Sequence, residues 1–309
     1  MKYLVTGGAG FIGSHIVETL IKNGEFVRIL DDFSSGKEEN IKNFIGRVEV
    51  IRGDIRDKKV CLEATKNIDF VLHQAALRSV PKSLINPSAY NEVNIQGTLN
   101  MLEASVKNKI KSFVFASSSS VYGDADKFPQ VEDAPSKLIS PYALSKLSGE
   151  YYCRIFAKHY GLNAVSLRYF NVFGPRQALD DEYAVVIPKF ITCILKCQRP
   201  PVFGTGKQSR DFTYVANVAG ANILACQAKR ASGEVFNVAG GKDYTVLELV
   251  TILNEILGKS IKPELFPKRA GDVFKTRASL VKSKKILKFS PDMNFIEGLK
   301  LTVEYFKRK

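Results

Sequence analysis

Short apolar runs alternate with longer amphipathic stretches through the first half of the chain. Residues 2–6, 26–31, 48–52, 70–73, 111–117 and 163–169 read as strands, each short and dominated by Val, Ile, Leu or Phe. Residues 11–23, 87–108 and 141–160 carry longer patterns that predict helices. The last of these has Pro141 at its first position, where a missing N–H costs nothing. Strand and helix in alternation predict a parallel sheet covered on both faces. Beyond Asn171 the pattern breaks. Gly174-Pro175-Arg176, Arg199-Pro200-Pro201 and Gly204-Thr205-Gly206 mark loops between short elements. Residues 236–239 read as one more core strand, and 247–257 and 296–306 as helices of a smaller lobe. There is no internal repeat and no low-complexity segment.

Composition narrows the class. With 309 residues, 45% hydrophobic and 25% charged, the chain has an ordinary globular make-up. A chain of this size buries about 75% of its unfolded surface and needs no covalent staple. The five cysteines are scattered without a Cys-x-x-Cys pair, and only three histidines are present, so free thiols and no metal site are expected. Cys193 and Cys197 share a helical face, but no histidine lies nearby to complete a site. Met1-Lys2 leads directly into strand-like Tyr3-Leu4-Val5, and no apolar run approaches the roughly 18 residues of a membrane span. A cytoplasmic protein away from membranes is expected. The net charge of +14 is spread along the chain apart from Lys307-Arg308-Lys309. Without a basic block interleaved with aromatics, it reads as a solvated surface that helps attract a phosphorylated substrate, not as a nucleic-acid site.

The candidate chemistry begins at Thr6-Gly7-Gly8-Ala9-Gly10-Phe11-Ile12-Gly13, between a predicted strand and a predicted helix. Gly7, Gly10 and Gly13 permit a tight turn and bring backbone N–H groups at the helix start, Phe11 and Ile12 among them, toward a pyrophosphate. Asp31 ends the second strand, 18 residues after Gly13 (31 − 13). A carboxylate there suits both ribose hydroxyls and repels a 2′-phosphate, favouring NAD over NADP. Asp54-Ile55 after the third strand offers a polar edge and an apolar face for an adenine. Gln74-Ala75-Ala76 closes the fourth strand with small residues that suit a cofactor's close approach. Tyr142 and Lys146 are i and i+4, on one helical face. A tyrosine with a pKa of about 10 becomes a base near neutrality only if depressed by about 3 units. A neighbouring ammonium supplies about 1–3 of these, and an oxidised nicotinamide ring more. A serine run, 117–120, lies upstream to hold or pass a substrate proton.

Taken together these residues resemble the extended short-chain dehydrogenase/reductase superfamily, and within it the nucleotide-sugar 4-epimerases. The resemblance spans essentially the whole chain, adding Asn94 to the cofactor contacts. It implies an α/β, doubly wound parallel sheet (a Rossmann fold) with a smaller C-terminal α/β substrate lobe. Residues 1–172 would bind NAD, with 212–239 returning to that domain, and 173–211 with 240–309 would bind the nucleotide sugar. The family's catalytic serine stands four residues before the tyrosine of a Val-Tyr-Gly turn, which places it at Ser118. Dehydratases and decarboxylases carry acids where this chain has Ser119 and Ser120, so epimerisation is the better match. In that chemistry Tyr142 takes the sugar O4 proton, the C4 hydride passes to NAD, the keto sugar rotates, and the hydride returns to the other face.

The resemblance further assigns substrate contacts to Arg78, Ser79, Ser118, Ser119, Asn171, Val186, Arg210, Arg269 and Asp272. It makes Thr276 a gate beside the sugar's C2 substituent. A tyrosine there goes with unacetylated sugars and a small residue with N-acetylated ones. Threonine, with the segments 75–81 and 183–188, points to UDP-N-acetylglucosamine and UDP-N-acetylgalactosamine. UDP-glucose is the alternative, and a uronic-acid sugar facing Arg78 another; an RNA-binding relative of the fold is the non-enzymatic reading. The resemblance also implies a homodimer through 87–108 and 141–160, where Tyr151, Tyr152, Ile155 and Phe156 either seal the contact or belong to the core.

Overall fold

The computed structural model describes residues 1–179, 186–268 and 273–309. Seven strands form one sheet: β1 (Lys2–Thr6), β2 (Phe26–Asp31), β3 (Glu49–Arg52), β4 (Phe70–His73), β5 (Ser112–Ser118), β6 (Ala164–Tyr169) and β7 (Val235–Val238). Their order is β7-β6-β5-β4-β1-β2-β3, and every neighbouring pair is parallel. Side chains alternate between two cores, as the pleat demands. Tyr3, Val5, Val27, Ile29 and Leu72 enter one core, while Leu4, Leu30 and Val71 enter the other. The inner strands are buried on both faces, which is why they are mostly apolar, whereas the edge strand β3 is largely exposed.

The helices are α1 (Phe11–Lys22), α2 (Lys58–Ala64), α3 (Val80–Ile85), α4 (Pro87–Tyr90), α5 (Gly97–Lys107), α6 (Pro141–Tyr160), α7 (Val186–Leu195), α8 (Val215–Gln227), α9 (Val246–Leu257), α10 (Val281–Ile286) and α11 (Phe295–Lys307). Residues of α1 and α8 pack into the first core, and those of α2, α5 and α6 into the second. A third core joins Ile187, Phe190, Leu249, Leu253, Leu299 and Val303 around stacked Phe212 and Phe295, 5.3 Å apart. The chain crosses to this third core after β6 and comes back with α8 and β7, β7 pairing with β6.

Two expectations need correction. The predicted single helix over 87–108 is α4, a π-helical turn Asn91–Gln96, and α5. The wider turn lets Asn94 reach inward to Leu77 and Ser145, a tertiary demand that the apolar period does not encode. The second is α8, which gave no helical signal. It packs against α1 and the sheet, and its outward face carries Ala216, Gly220, Ile223 and Leu224, so no polar stripe sets a period. Among the described residues no helix is long and apolar enough to cross a membrane.

Candidate active site

The strand order reverses between β1 and β4, and at the carboxyl ends of these strands a cleft opens, where doubly wound sheets hold ligands. Gly7, Gly10, Phe11, Ile12 and Gly13 form one wall. Gly7 sits at φ +67°, and a Cβ on Gly13 would meet Gly7 O at 2.1 Å. No side chain caps α1 at Gly10, so its first-turn N–H groups stay open to an anion. A Gly13→Ala substitution must open the loop. Expected is loss of NAD from the purified protein, checked by nucleotide content and titration calorimetry.

Asp31 lies beside this wall, buried, its carboxylate accepting from Ala9 N (2.9 Å) and Phe33 N (2.8 Å). Asp54 and Ile55 also line the cleft. Asp54 is already clamped by Arg56, whose hydrogen bonds hold its carboxyl below the usual range. Gln74, Ala75, Ala76 and Arg78 line the floor. Asn94 stands behind the cleft, not in it: its Oδ1 accepts from Leu77 N, and its Nδ2 donates to Leu77 O and Ser145 Oγ. The uncapped turn, the buried carboxylate and the small floor together fit a dinucleotide with free ribose hydroxyls.

Tyr142 and Lys146 enter from α6 and also line the cleft. The Tyr142 phenol lies beside Ser118, which ends β5 and lowers the phenol's pKa, and Ser118 Oγ accepts from Ser120 N at 3.1 Å. Tyr90 meets the Tyr142 ring edge-on, with centroids 6.3 Å apart. Lys146 Nζ donates to Ala116 O at 2.8 Å. The chain alone does not depress the phenol as expected. Burial pushes Tyr142 up, against the effect of Ser118, and pushes the Lys146 ammonium down to about 7. Both shifts share one cause, the loss of water around a charge.

The Lys146 shift has a pH consequence. Between about 7 and its unfolded value of 10.5 the unfolded chain binds the extra proton. Stability therefore rises with pH across that window, and the buried ammonium costs most below it. A Lys146→Met variant is expected to melt above the cofactor-free wild type at about pH 6.5, with the gap closing toward about pH 10 in paired thermal melts.

The substrate side is built from more distant pieces. Ser79 caps α3, and its backbone is gripped by the Tyr90 hydroxyl. Ser119 opens the short turn after β5. Asn171 Nδ2 donates to Asp211 O (3.0 Å) and Thr276 Oγ1 (2.9 Å). Thr276 is buried, and its hydroxyl also accepts from Asp211 N. Val186 begins α7, and Arg210 donates to Ser209 O and Phe274 O. Arg269, Asp272 and 183–185 lie outside the described residues.

Some cleft residues escaped the sequence reading. Arg176 and Gln177 line it from the loop after Gly174-Pro175, where the turn was visible but its destination was not. Arg176 pairs with Glu18 (2.5 Å) and His15 Nδ1 (2.8 Å), tying that loop to α1. Phe306 and Lys309 reach the same cleft from the last helix, with no local pattern to announce it.

Residues 3–239 match the family model described as NAD dependent epimerase/dehydratase family. The chain belongs to that family. This epimerase/dehydratase chain is thus an extended short-chain dehydrogenase/reductase with NAD as its cofactor. It is 42% identical, with a TM-score of 0.95, to the UDP-N-acetylglucosamine 4-epimerase of Methanobrevibacter ruminantium, solved in complex with UDP-N-acetylmuramic acid. That match covers 99% of this chain and 98% of the other. The UDP-glucose 4-epimerase of Thermus thermophilus, solved with NAD, is 37% identical at a TM-score of 0.90, with 99% of each chain covered. A putative UDP-glucose 4-epimerase of Methanocaldococcus jannaschii is 40% identical over 306 residues, 98% of each chain.

Proposed function

We propose that the protein is a UDP-sugar 4-epimerase that interconverts UDP-N-acetylglucosamine and UDP-N-acetylgalactosamine. NAD, held by the Gly7–Gly13 turn and Asp31, would supply the acceptor and donor of the C4 hydride. The chain's own part is proton handling and orientation. Tyr142 takes the O4 proton, directly or through the neighbouring Ser118, and gives it back on return. A protonated Lys146 beside it, held by Ala116 O, favours the phenolate. Arg78, Ser79, Ser119, Asn171, Val186, Arg210, Arg269 and Asp272 are the proposed contacts to the nucleotide sugar.

Epimerisation, not elimination, follows from the absence of a free acid at Ser119 and Ser120. The buried acids behind that turn are occupied: Glu150 pairs with Arg168, and Glu132 accepts from Asn237 N. The observation that carries the acetylated sugar is Thr276. Its hydroxyl oxygen accepts from both Asn171 Nδ2 and the Asp211 N–H, which fixes a small side chain where a tyrosine would add bulk against a C2 substituent. The Methanobrevibacter relative supports the same choice. UDP-glucose is the second reading, supported by the Methanocaldococcus relative's name. A uronic-acid sugar is the third, since Arg78 is exposed and lines the cleft.

The deciding experiment follows anomeric protons by NMR with no added NAD. Growth of the galacto epimer from UDP-N-acetylglucosamine is expected. Conversion of UDP-glucose alone overturns the Thr276 argument, and silence on both directs the assay to UDP-glucuronic acid. The proposal extends to a cytoplasmic homodimer. Leu144, Tyr151 and Ile155 form an exposed apolar row on α6, whereas Phe156 is buried and Tyr152 packs against the core. Sedimentation velocity at micromolar concentration reads the dimer directly.

A further inference from the structure

A buried hydrogen-bond chain joins the cofactor loop to the helix that carries Tyr142, and its hydrogens can be assigned. The Thr98 hydroxyl donates to Asn94 O at 2.6 Å, and a carbonyl can only accept. Its single proton is then spent, so Thr98 Oγ1 must accept from His73 Nε2, 3.1 Å away. His73 is 1% exposed and lies beside the rings of Phe113 and Phe115, with centroids 5.5 and 6.1 Å away. Burial there, with Lys146 nearby, holds its pKa down to about 3, so the ring is neutral. Nδ1 therefore has a lone pair, and the Thr6 hydroxyl donates to it at 2.7 Å while accepting from Ala75 N at 3.2 Å.

Each end of this chain meets the site. Thr6 immediately precedes Gly7, and Ala75 lines the cleft. At the other end Asn94 belongs to the π-helical turn, and its side chain grips both backbone groups of Leu77 and the hydroxyl of Ser145. Ser145 in turn donates to Tyr142 O at 2.8 Å. Every donor and acceptor in the path has a partner. Such a fully satisfied buried network specifies one arrangement.

We propose that His73 is a positioning residue for the reaction. In its neutral, Nε2-protonated form it ties the turn carrying the dinucleotide loop, through Thr98 and Asn94, to the helix that presents Tyr142. The cofactor and the proton-accepting phenol are then held in one register. The proposal rests on the reading of Tyr142 as the base. A displacement well under a bond length matters because misplacement by about 1 Å can cost a hundred-fold in rate.

The test uses the full-length protein with NAD bound and reads kcat and KM separately. His73→Phe keeps the ring packing and removes both nitrogens. Its kcat is expected to fall about ten-fold or more at an unchanged KM for the UDP-sugar. His73→Gln, which retains an amide donor toward Thr98, is expected to recover most of that loss. Thr98→Val breaks the same link without touching His73 and is expected to match His73→Phe, while Thr98→Ser stays near wild type. The double variant His73→Phe/Thr98→Val is expected to be no worse than either single one, because both remove one coupling. If His73→Phe does not fold, the Thr98 pair decides alone. A folded His73→Phe or Thr98→Val with wild-type kcat, whatever its melting temperature, overturns the proposal. Retained turnover in Tyr142→Phe would instead remove its premise.

Discussion

Replacing Tyr142 by Phe is expected to leave NAD bound and to lower turnover by about 10²–10⁴-fold, the range that one positioned proton-transfer group supplies. The substitution removes a single oxygen. The ring keeps its edge contact with Tyr90, and the glycine loop and Asp31 are untouched. Ser118 loses the phenol beside it, and the neighbouring Tyr90 hydroxyl is already engaged with the Ser79 backbone. Lys146 is a poor substitute, because its Nζ is directed to Ala116 O. The check is steady-state turnover followed by NMR, together with nucleotide released from denatured protein. Activity within ten-fold of wild type, at full NAD occupancy, would sink the assignment of Tyr142 as the base (the lower bound of ~10² leaves that margin).

The largest expected effect on stability lies just behind the same site. Arg168 is buried on β6 and forks onto Glu150 of α6, with Nε to Oε1 at 2.8 Å and Nη2 to Oε2 at 2.7 Å. Its Nη1 reaches Glu132 O, its guanidinium lies 4.6 Å from the Tyr122 ring centroid, and Ser117 donates to Glu150 Oε1. Arg168→Met strands a carboxylate in a dry interior. Removing one partner of such a pair costs about 3–5 kcal/mol. For a domain of this size that is a drop on the order of 10 °C in melting temperature. Arg168→Met/Glu150→Leu, which removes both charges, is expected to regain a substantial part. A single variant melting within two degrees of wild type would show that the pair contributes little (the expected drop being ~10 °C). Because Ser117 precedes Ser118, the single variant is also expected to lower kcat.

Much of the site was legible because its chemistry is local. The Gly7–Gly13 loop, Asp31 at a strand end, and Tyr142 with Lys146 one helical turn apart each declare themselves within a few residues. So do the inner sheet strands, whose apolar runs follow from burial on both faces. Where the reading failed, the cause lay in contacts that local pattern does not carry. Asn94 looked like part of one long helix, but its contacts with Leu77 and Ser145 go with a π turn. Asp54 does line the cleft, but its place after the third strand did not announce that Arg56 closes onto its carboxylate. The α8 helix was unreadable because helical periodicity reports a polar boundary with water, and the outward face of this helix carries Ala216, Gly220, Ile223 and Leu224 instead.

Sequence by itself therefore determined the fold class, the glycine turn and the placing of Tyr142 and Lys146 on one helical face, since all three depend on backbone freedom, strand period and side-chain spacing over short stretches. Only the tertiary structure decided what surrounds them. Arg168 with Glu150, Arg176 with Glu18, Thr276 with Asn171, and the path through His73 each join residues from separate elements. Such pairings leave no trace in local pattern, because a buried polar group can be satisfied by whichever neighbour the packed fold brings within about 3 Å.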